Sequence, residues 1–170
     1  MIELRGNIWD LAGPHDIICI TTNGSVTKSG AAVMGRGIAL EAKRRYPGIE
    51  NILGRNIQLY GNIVQYIIDG IYSFPVKCRG MVPGPNRDQY VVNHMRGKFK
   101  DTDDIPGWAL KAHDWLIRDS CVQLVELLQN DARDVYIGRP GVGAGELPWE
   151  DVKSIIEPVL VDDKFKVCTF

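Results

Sequence analysis

Residues 16–48 read DIICITTNGSVTKSGAAVMGRGIALEAKRRYPG, and this stretch decides the fold class. Asp16–Thr22 is almost continuously apolar, which is typical of a strand buried on both faces. A loop rich in Gly, Ser and Thr follows, from Asn23 to Gly35. Arg36–Tyr46 then has apolar residues at helical spacing, and Pro47-Gly48 ends it. The order of strand, glycine loop and helix indicates an α/β protein.

The same alternation continues along the chain. Asp69-Gly70 lies between two β-rich runs and predicts a hairpin, so the central sheet should be mixed. We therefore predict a three-layer α/β/α domain. The predicted strands are Ile2–Arg5, Ile71–Val76, Asp134–Gly138 and Lys164–Phe170; the predicted helices are Trp108–Asn130 and Pro148–Leu160; Asn56–Tyr60 and Ile63–Ile68 are apolar segments before the hairpin turn.

Between residues 79 and 107 the periodic pattern is lost. Prolines, glycines and mixed charges predict a long excursion over the surface within one domain spanning residues 1–170. Loops of this length are uncommon unless they are functional or mobile. Its polar and basic residues suit either a solvated loop, which is the simpler interpretation, or a cover over the cleft: Tyr90, Asn93, His94, Arg96 and Lys98.

The amino-acid composition indicates which classes of partner the chain is expected to bind. The 170 residues carry 20 Lys and Arg against 21 Asp and Glu, without the basic excess expected of a general nucleic-acid-binding protein. The four cysteines form no C-x-x-C pair and the three histidines share no spacing, so no metal site is predicted. The absence of a signal segment and of an 18-residue apolar run predicts a cytoplasmic protein without membrane contact, which we expect to be a monomer.

A second glycine loop resembles the first in design. Residues 139–153, RPGVGAGELPWEDVK, follow a predicted strand and precede a predicted helix. Glycines allow the backbone to approach a ligand closely, and a helix start supplies free N–H groups, which favour phosphate. Either loop alone is more often a tight turn, and neither has the Walker or Rossmann pattern. Together, at the carboxyl ends of strands, they predict a diphosphate site.

These residues resemble the macro-domain superfamily. The similarity rests on ITTNGSV with AVMGRGIALEAKRRYPG, then SFPVK, then RPGVGAGELPWEDVKSII, in that order. It extends from Gly6 to Phe170, weakens between Arg79 and Gly107, and is greatest to the branch of terminal ADP-ribose glycohydrolases and DNA ADP-ribosyl glycohydrolase antitoxins. The resemblance implies the fold predicted above and a bound ADP-ribose, with no cofactor.

The resemblance also implies binding roles. Asn23 would lie beside the distal ribose, and the two glycine loops would contact the diphosphate. Asn7 stands where many members have an Asp that accepts a hydrogen bond from the adenine amino group; an Asn oxygen accepts without charge assistance. The implied ADP-ribose-binding residues are Asn7, Ile8, Asn23, Gly35, Arg36, Gly37, Ile38, Gly141, Val142, Gly143, Ala144 and Gly145.

Lys77, in the F-P-x-K context, is implicated by the same resemblance in cleaving the ADP-ribosyl bond. That chemistry needs an amine that its surroundings keep partly deprotonated. Related glycohydrolases use an acid in the second glycine loop, where this chain has Gly145 followed by Glu146. Glu146 is therefore a candidate general acid or base, or an acid placed near a helix start.

Three functions fit this pattern. The leading hypothesis is hydrolysis of an ADP-ribosyl linkage on protein or DNA. The second is a non-catalytic reader of free or attached ADP-ribose, which the absence of the loop acid favours. The third is a phosphatase acting on ADP-ribose 1″-phosphate, with water as the attacking group.

Overall fold

The computed structural model describes residues 1–169. Six strands form the central sheet in the order β1-β8-β7-β2-β4-β3, and two short strands, β5 and β6, pair apart from it. The strands are β1 Ile2–Arg5, β2 Ile17–Thr22, β3 Gln65–Ile68, β4 Ile71–Pro75, β5 Gly80–Met81, β6 Ile105–Pro106, β7 Val135–Gly138 and β8 Phe165–Thr169; the helices are α1 Ile8–Leu11, α2 Gly37–Arg45, α3 Ile49–Tyr60, α4 Asp114–Leu127 and α5 Trp149–Ile156.

The central strand β2 shows why the molecule has three layers. Ile17 and Cys19 pack on the face that carries α4 and α5. Ile18 and Ile20 pack on the opposite face, under α1, α2 and α3. Successive side chains of a strand point to opposite faces, so an unbroken apolar run requires cover on both sides. The predicted α/β/α architecture is confirmed.

The predicted hairpin makes the sheet mixed. β3 and β4 pair antiparallel, whereas the other four pairings of the central sheet are parallel. Asp69 and Gly70 join the pair with φ values of 45° and 76°. Consecutive positive φ values are those of a type I′ turn, which matches the right-handed twist of the strands.

Helix α3 was missed by the sequence analysis, which treated Asn56–Tyr60 only as an apolar segment. Ile49, Leu53 and Ile57 recur every four residues and form its buried side. Gly54 interrupts this pattern for a structural reason, because a side chain there would overlap the backbone of the first glycine loop at Gly30. The close packing of α3 against the loop therefore requires glycine at position 54, although glycine has a low helix propensity.

Helix α4 begins at Asp114, not at Trp108 as predicted. Gly107–Ala109 form one 3₁₀ turn, and the backbone then runs extended. The N–H of Val92 donates to Ala109 O, and the N–H of Lys111 donates to Tyr90 O, at 2.9 and 2.7 Å. These bonds between residues 90–92 and 109–111 use the backbone groups that a helix would need. The spacing of the apolar residues at the start of the predicted helix therefore results from their burial and not from a helical conformation.

The last strand, predicted as Lys164–Phe170, spans Phe165–Thr169, and Phe170 lies outside the described residues.

Residues 79–107 have a small core of their own. Besides β5 and β6, the segment has two single 3₁₀ turns and the start of a third, and its Val91 and Ile105 pack in one buried cluster with Ala109 and Leu110, which follow the segment. Arg87 is only 7% exposed and donates to four backbone carbonyls, of Val82, Gly84, Lys100 and Asp103, at 2.6–2.8 Å. One buried guanidinium therefore organises a stretch that lacks regular periodicity.

Candidate functional site

A cavity of about 520 Å³ lies at the carboxyl ends of β2, β4, β7 and β8. This edge of a parallel sheet is where α/β proteins bind ligands, and the volume suits a nucleotide-sized molecule. Its walls are formed by Thr21, Thr22, Asn23, Val33, Gly35, Arg36, Gly37, Ile38, Ala39, Val76, Lys77, His94, Trp108, Gly138, Arg139, Gly141, Val142, Gly143, Ala144, Gly145, Cys168 and Thr169. The two glycine loops thus face one cavity.

The first glycine loop presents unpaired amides. Among the described residues, no protein acceptor receives a hydrogen bond from the N–H groups of residues 35–39. Residues 37–39 form the first turn of α2, whose N-terminus also carries partial positive charge. No atom lies within 4 Å of where a Cβ would sit on Gly35 or Gly37, and Gly37 has φ 54°. The backbone is therefore open to a ligand here.

Asn23 holds the base of this loop. Its side-chain oxygen accepts from the N–H of Ser25, and its amide nitrogen donates to Val33 O, both at 2.9 Å. The residue lies on the cavity wall, at the position implied by the resemblance. Because its polar atoms are already used, Asn23 both shapes the loop and borders the cavity.

The second glycine loop is similarly unpaired. Within residues 1–169, the N–H groups of residues 141–145 donate to no protein acceptor. The loop is closed by the N–H of Glu146, which bonds to Gly143 O, and that of Leu147, which bonds to Gly141 O. Helix α5 begins only at Trp149, and its first residues are not on the cavity wall. The helix thus starts where the sequence predicts, but its first turn does not line the cavity, whereas residues 141–145 of the loop do.

Gly145, at the position where the resemblance implies an acid in other members, has no room for a side chain. A Cβ there would overlap the carbonyl oxygen of Gly141 and lie 2.7 Å from the Cβ of Ala112. The loop conformation therefore excludes an acid at this position.

Lys77 lies on the cavity wall just beyond β4. Its side chain is buried, at 6% exposure. Its Nζ donates to Ala144 O at 2.7 Å and to Trp108 O at 3.3 Å. Burial lowers the pKa of Lys77 from 10.5 to about 8, although the Glu146 carboxylate opposes this decrease and the Arg36 guanidinium adds to it. Removing a charged amine from water favours its neutral form.

Glu146 does not line the cavity. Its backbone is left-handed, with φ 60°, and Oε1 accepts from the N–H of Asn93 at 2.8 Å. Oε2 is buried and has no hydrogen-bond partner among the described residues. The carboxylate is close enough to act on the Lys77 amine but is directed toward the segment of residues 79–107.

Two predicted residues lie away from the cavity wall. Asn7 caps α1, and its Oδ1 accepts from the N–H of Trp9 at 3.0 Å. Ile8 is fully buried in the core beneath that helix. The structure brings together all the other implied binding residues and Lys77 around the cavity, but not Asn7, Ile8 or Glu146.

Several wall residues were missed by the sequence analysis. Thr21, Thr22, Gly138, Cys168 and Thr169 end parallel strands, and a rule based on strand ends could have found them. By contrast, the sequence analysis named His94 only within a segment that could cover the cleft, Trp108 only as the start of a predicted helix, and Arg139 only as the first residue of the second glycine loop.

Arg139 is fixed by packing. Its guanidinium stacks 4.4 Å from the ring centre of Trp149.

Two further observations concern the described residues as a whole. Across residues 1–169, no group of three or more His, Cys, Asp or Glu side chains is placed to hold a metal ion. No helix in that range combines the length and apolarity needed to span a bilayer.

Solved structures share this architecture. The macrodomain of Thermus aquaticus DarG matches with a TM-score of 0.64 at 19% sequence identity, covering 99% of this chain and 96% of that one. The chain has the macrodomain fold. Thermosipho africanus DarTG, solved in complex with ADP-ribose, contains the same macrodomain architecture, with a TM-score of 0.63 at 13% identity over 98% of this chain and 41% of that one.

A curated protein is also similar in sequence. The ADP-ribose glycohydrolase OARD1 of Homo sapiens is 24% identical over 137 residues, which are 81% of this chain and 73% of that protein. No protein-family model matches this macrodomain chain.

Proposed function

We propose that this chain binds ADP-ribose and hydrolyses an ADP-ribosyl linkage on a macromolecule. The observation that carries the proposal is the convergence of two unpaired amide loops and one buried lysine on a single cavity. The similarity to OARD1, named an ADP-ribose glycohydrolase, and to DarTG, solved with ADP-ribose, supports it.

The diphosphate would lie between the two glycine loops. Residues 35–39 and 141–145 offer unpaired N–H groups from two sides, and the N-terminus of α2 adds partial positive charge. Amide donors held in place by the fold bind a phosphate without a metal or an excess of basic side chains. Arg36, on the same wall, adds a fixed positive charge.

Lys77 would attack the anomeric carbon of the distal ribose. A neutral amine has two N–H groups and one lone pair. When the N–H groups bond to Ala144 O and Trp108 O, the lone pair remains free on a residue that lines the cavity. A pKa near 8 leaves a useful fraction of the amine neutral at physiological pH.

A non-catalytic reader is the second candidate, and one observation favours it. The backbone around Gly145 excludes the acid that related glycohydrolases use. A reader would retain the amide loops and the cavity but release no ADP-ribose.

Turnover distinguishes the two candidates. The purified chain would be incubated, without added metal, with ADP-ribosylated protein, ADP-ribosylated DNA and ADP-ribose 1″-phosphate, and ADP-ribose release would be measured. We expect Lys77→Ala to reduce release at least 100-fold while ADP-ribose affinity, measured by calorimetry, stays within about threefold. Lys28→Ala, on an exposed part of the first loop, is the matched control.

Each candidate function predicts a different result in these assays. A wild type that binds ADP-ribose and releases none of it from any substrate is a reader. Release from the 1″-phosphate alone indicates a phosphatase. Gly143→Glu places a carboxylate in open space on the cavity wall, so it should abolish binding under every alternative. Unchanged affinity in that variant would contradict the placement of the diphosphate.

The cytoplasmic location and the monomeric state stay predictions from the sequence, which leaves open whether protein or DNA is the carrier. Cell fractionation addresses the location, light scattering the monomeric state and the substrate comparison the carrier.

A further inference from the structure

The segment of residues 79–107 supplies a titratable side chain to the cavity. His94 is exposed and lies on the wall together with Lys77. The second glycine loop has no room for an acid at Gly145, and Glu146 does not reach the wall. His113 is also near Lys77 but does not line the cavity. His94 is therefore the imidazole available to a bound ligand.

A closed circuit of four hydrogen bonds fixes this arrangement. Lys77 Nζ donates to Trp108 O at 3.3 Å; the next residue, Ala109, accepts from the N–H of Val92 at 2.9 Å. The next N–H, that of Asn93, donates to Glu146 Oε1 at 2.8 Å. The circuit returns through the second glycine loop, where Ala144 O accepts from Lys77 Nζ at 2.7 Å.

The circuit is short enough to bring its members close together. Each step along the chain between two of its hydrogen bonds covers one residue or two, and His94 directly follows Asn93. The charge of the Glu146 carboxylate also acts on the Lys77 amine, whose protonated form it favours. His94, on the same cavity wall as Lys77, thus directly follows a residue that the circuit ties to the Lys77 side chain.

We propose that His94 exchanges the proton of the reaction and that Glu146 positions it. This inference rests on the function proposed above and assigns to His94 the role that the loop acid has in related enzymes. Imidazole is suited to it because it gains and loses a proton near neutral pH. Glu146, bonded to the residue before His94, holds the turn in place and does not touch the substrate.

The proposed step balances as follows. The Lys77 lone pair forms a bond to the anomeric carbon, the bond from that carbon to the carrier atom breaks, and its electron pair leaves with the carrier. Protonated His94 gives its proton to that atom. Water then attacks the same carbon, the Lys77–carbon bond breaks with its pair returning to nitrogen, and His94 takes a proton from the water. The products are free ADP-ribose and unmodified carrier.

His94→Ala tests the role directly. We expect kcat on the substrate that wild type processes to fall about 100-fold or more, with ADP-ribose affinity within about threefold. Added imidazole should restore part of the lost rate, which a purely structural role would not allow. His15→Ala, exposed in the turn before β2, is the control and should behave as wild type. An unchanged kcat in His94→Ala overturns the inference.

Glu146 is tested by a pair of variants. An amide oxygen can still accept from the N–H of Asn93, so Glu146→Gln should keep at least a third of the wild-type kcat, whereas Glu146→Ala should lose 10-fold or more. Equal, severe losses in both would assign the proton transfer to Glu146 and overturn the inference while leaving the proposed function intact. A wild type without turnover on any substrate overturns both.

Discussion

Lys77 is a buried lysine whose hydrogen-bond partners carry no opposite charge. It is buried, yet within residues 1–169 its amine has only neutral carbonyl oxygens, of Ala144 and Trp108, as hydrogen-bond partners. Carbonyls satisfy N–H groups without neutralising a charge, so the ammonium is less stable here than in water. The same desolvation that destabilises the folded state would give the amine the nucleophilic role proposed for it.

Stability should therefore depend on pH through Lys77. The pKa is about 8 in the folded state against 10.5 when the chain is unfolded, so between these values the unfolded state binds more protons and stability rises with pH. We expect wild type to gain roughly 2–3 kcal/mol relative to Lys77→Met between pH 7 and pH 10, measured by urea unfolding at both pH values. Other titrations cancel in this comparison. A constant difference would show that Lys77 titrates like an exposed lysine.

At the scale of elements, the second glycine loop depends on different glycines for different reasons. Gly143 borders open space, whereas Gly145 is enclosed by Gly141 and Ala112. Gly141 has φ 75° and would itself meet the side chain of Ile117, 2.7 Å away. Gly143 therefore leaves space for a ligand, whereas Gly141 and Gly145 are required by close packing.

Alanine substitutions should separate these roles. Gly145→Ala is expected to lower the free energy of unfolding by roughly 1–3 kcal/mol, because a methyl group must displace the loop backbone. Gly143→Ala should change it by less than about 0.5 kcal/mol. Thermal or urea unfolding of both variants provides the measurement. Equal effects would contradict the packing described here.

Many of these strands, turns and loops could be predicted from the sequence pattern within a few residues. The unbroken apolar run of β2, the Asp69-Gly70 turn and the two glycine loops each follow from backbone chemistry within a few residues. Helix α3 was hidden because Gly54 serves a contact with a distant loop. His94 was named only within a segment that could cover the cleft, because its position on the wall depends on bonds of Val92 and Asn93 to residues 17 and 53 positions away, which no local pattern encodes.

At the scale of the whole molecule, the segment of residues 79–107 joins both glycine loops. Ser25, in the first loop, donates from Oγ to Arg79 O and accepts there from the N–H of Trp108, both at 3.2 Å. Glu146 makes the corresponding contact from the second loop. The segment is thus tied to the cavity on two sides, and we propose that residues 1–169 unfold as one unit.

A substitution of Arg87 tests whether the segment of residues 79–107 unfolds together with the rest of the domain. Arg87→Met leaves four carbonyls without their donor, and we expect a loss of roughly 3 kcal/mol in the free energy of unfolding, because hydrogen bonds to charged groups contribute about 1.5–3 kcal/mol each and water replaces only part of them. Arg55→Met, exposed on α3, is the control. Circular dichroism and protease sensitivity of the segment should report one coincident transition in both variants. Loss of the segment before the rest would contradict a single unit.

A binding surface made of main-chain amides has consequences for how such a protein diverges. Substitution of Ile38, Val142 or Ala144 removes no donor, because every residue except proline brings the same N–H. What drift cannot change is the shape of the turns, which Gly141 and Gly145 hold. If the proposed diphosphate site is correct, proteins of this architecture can therefore lose most of their sequence likeness and still bind a diphosphate.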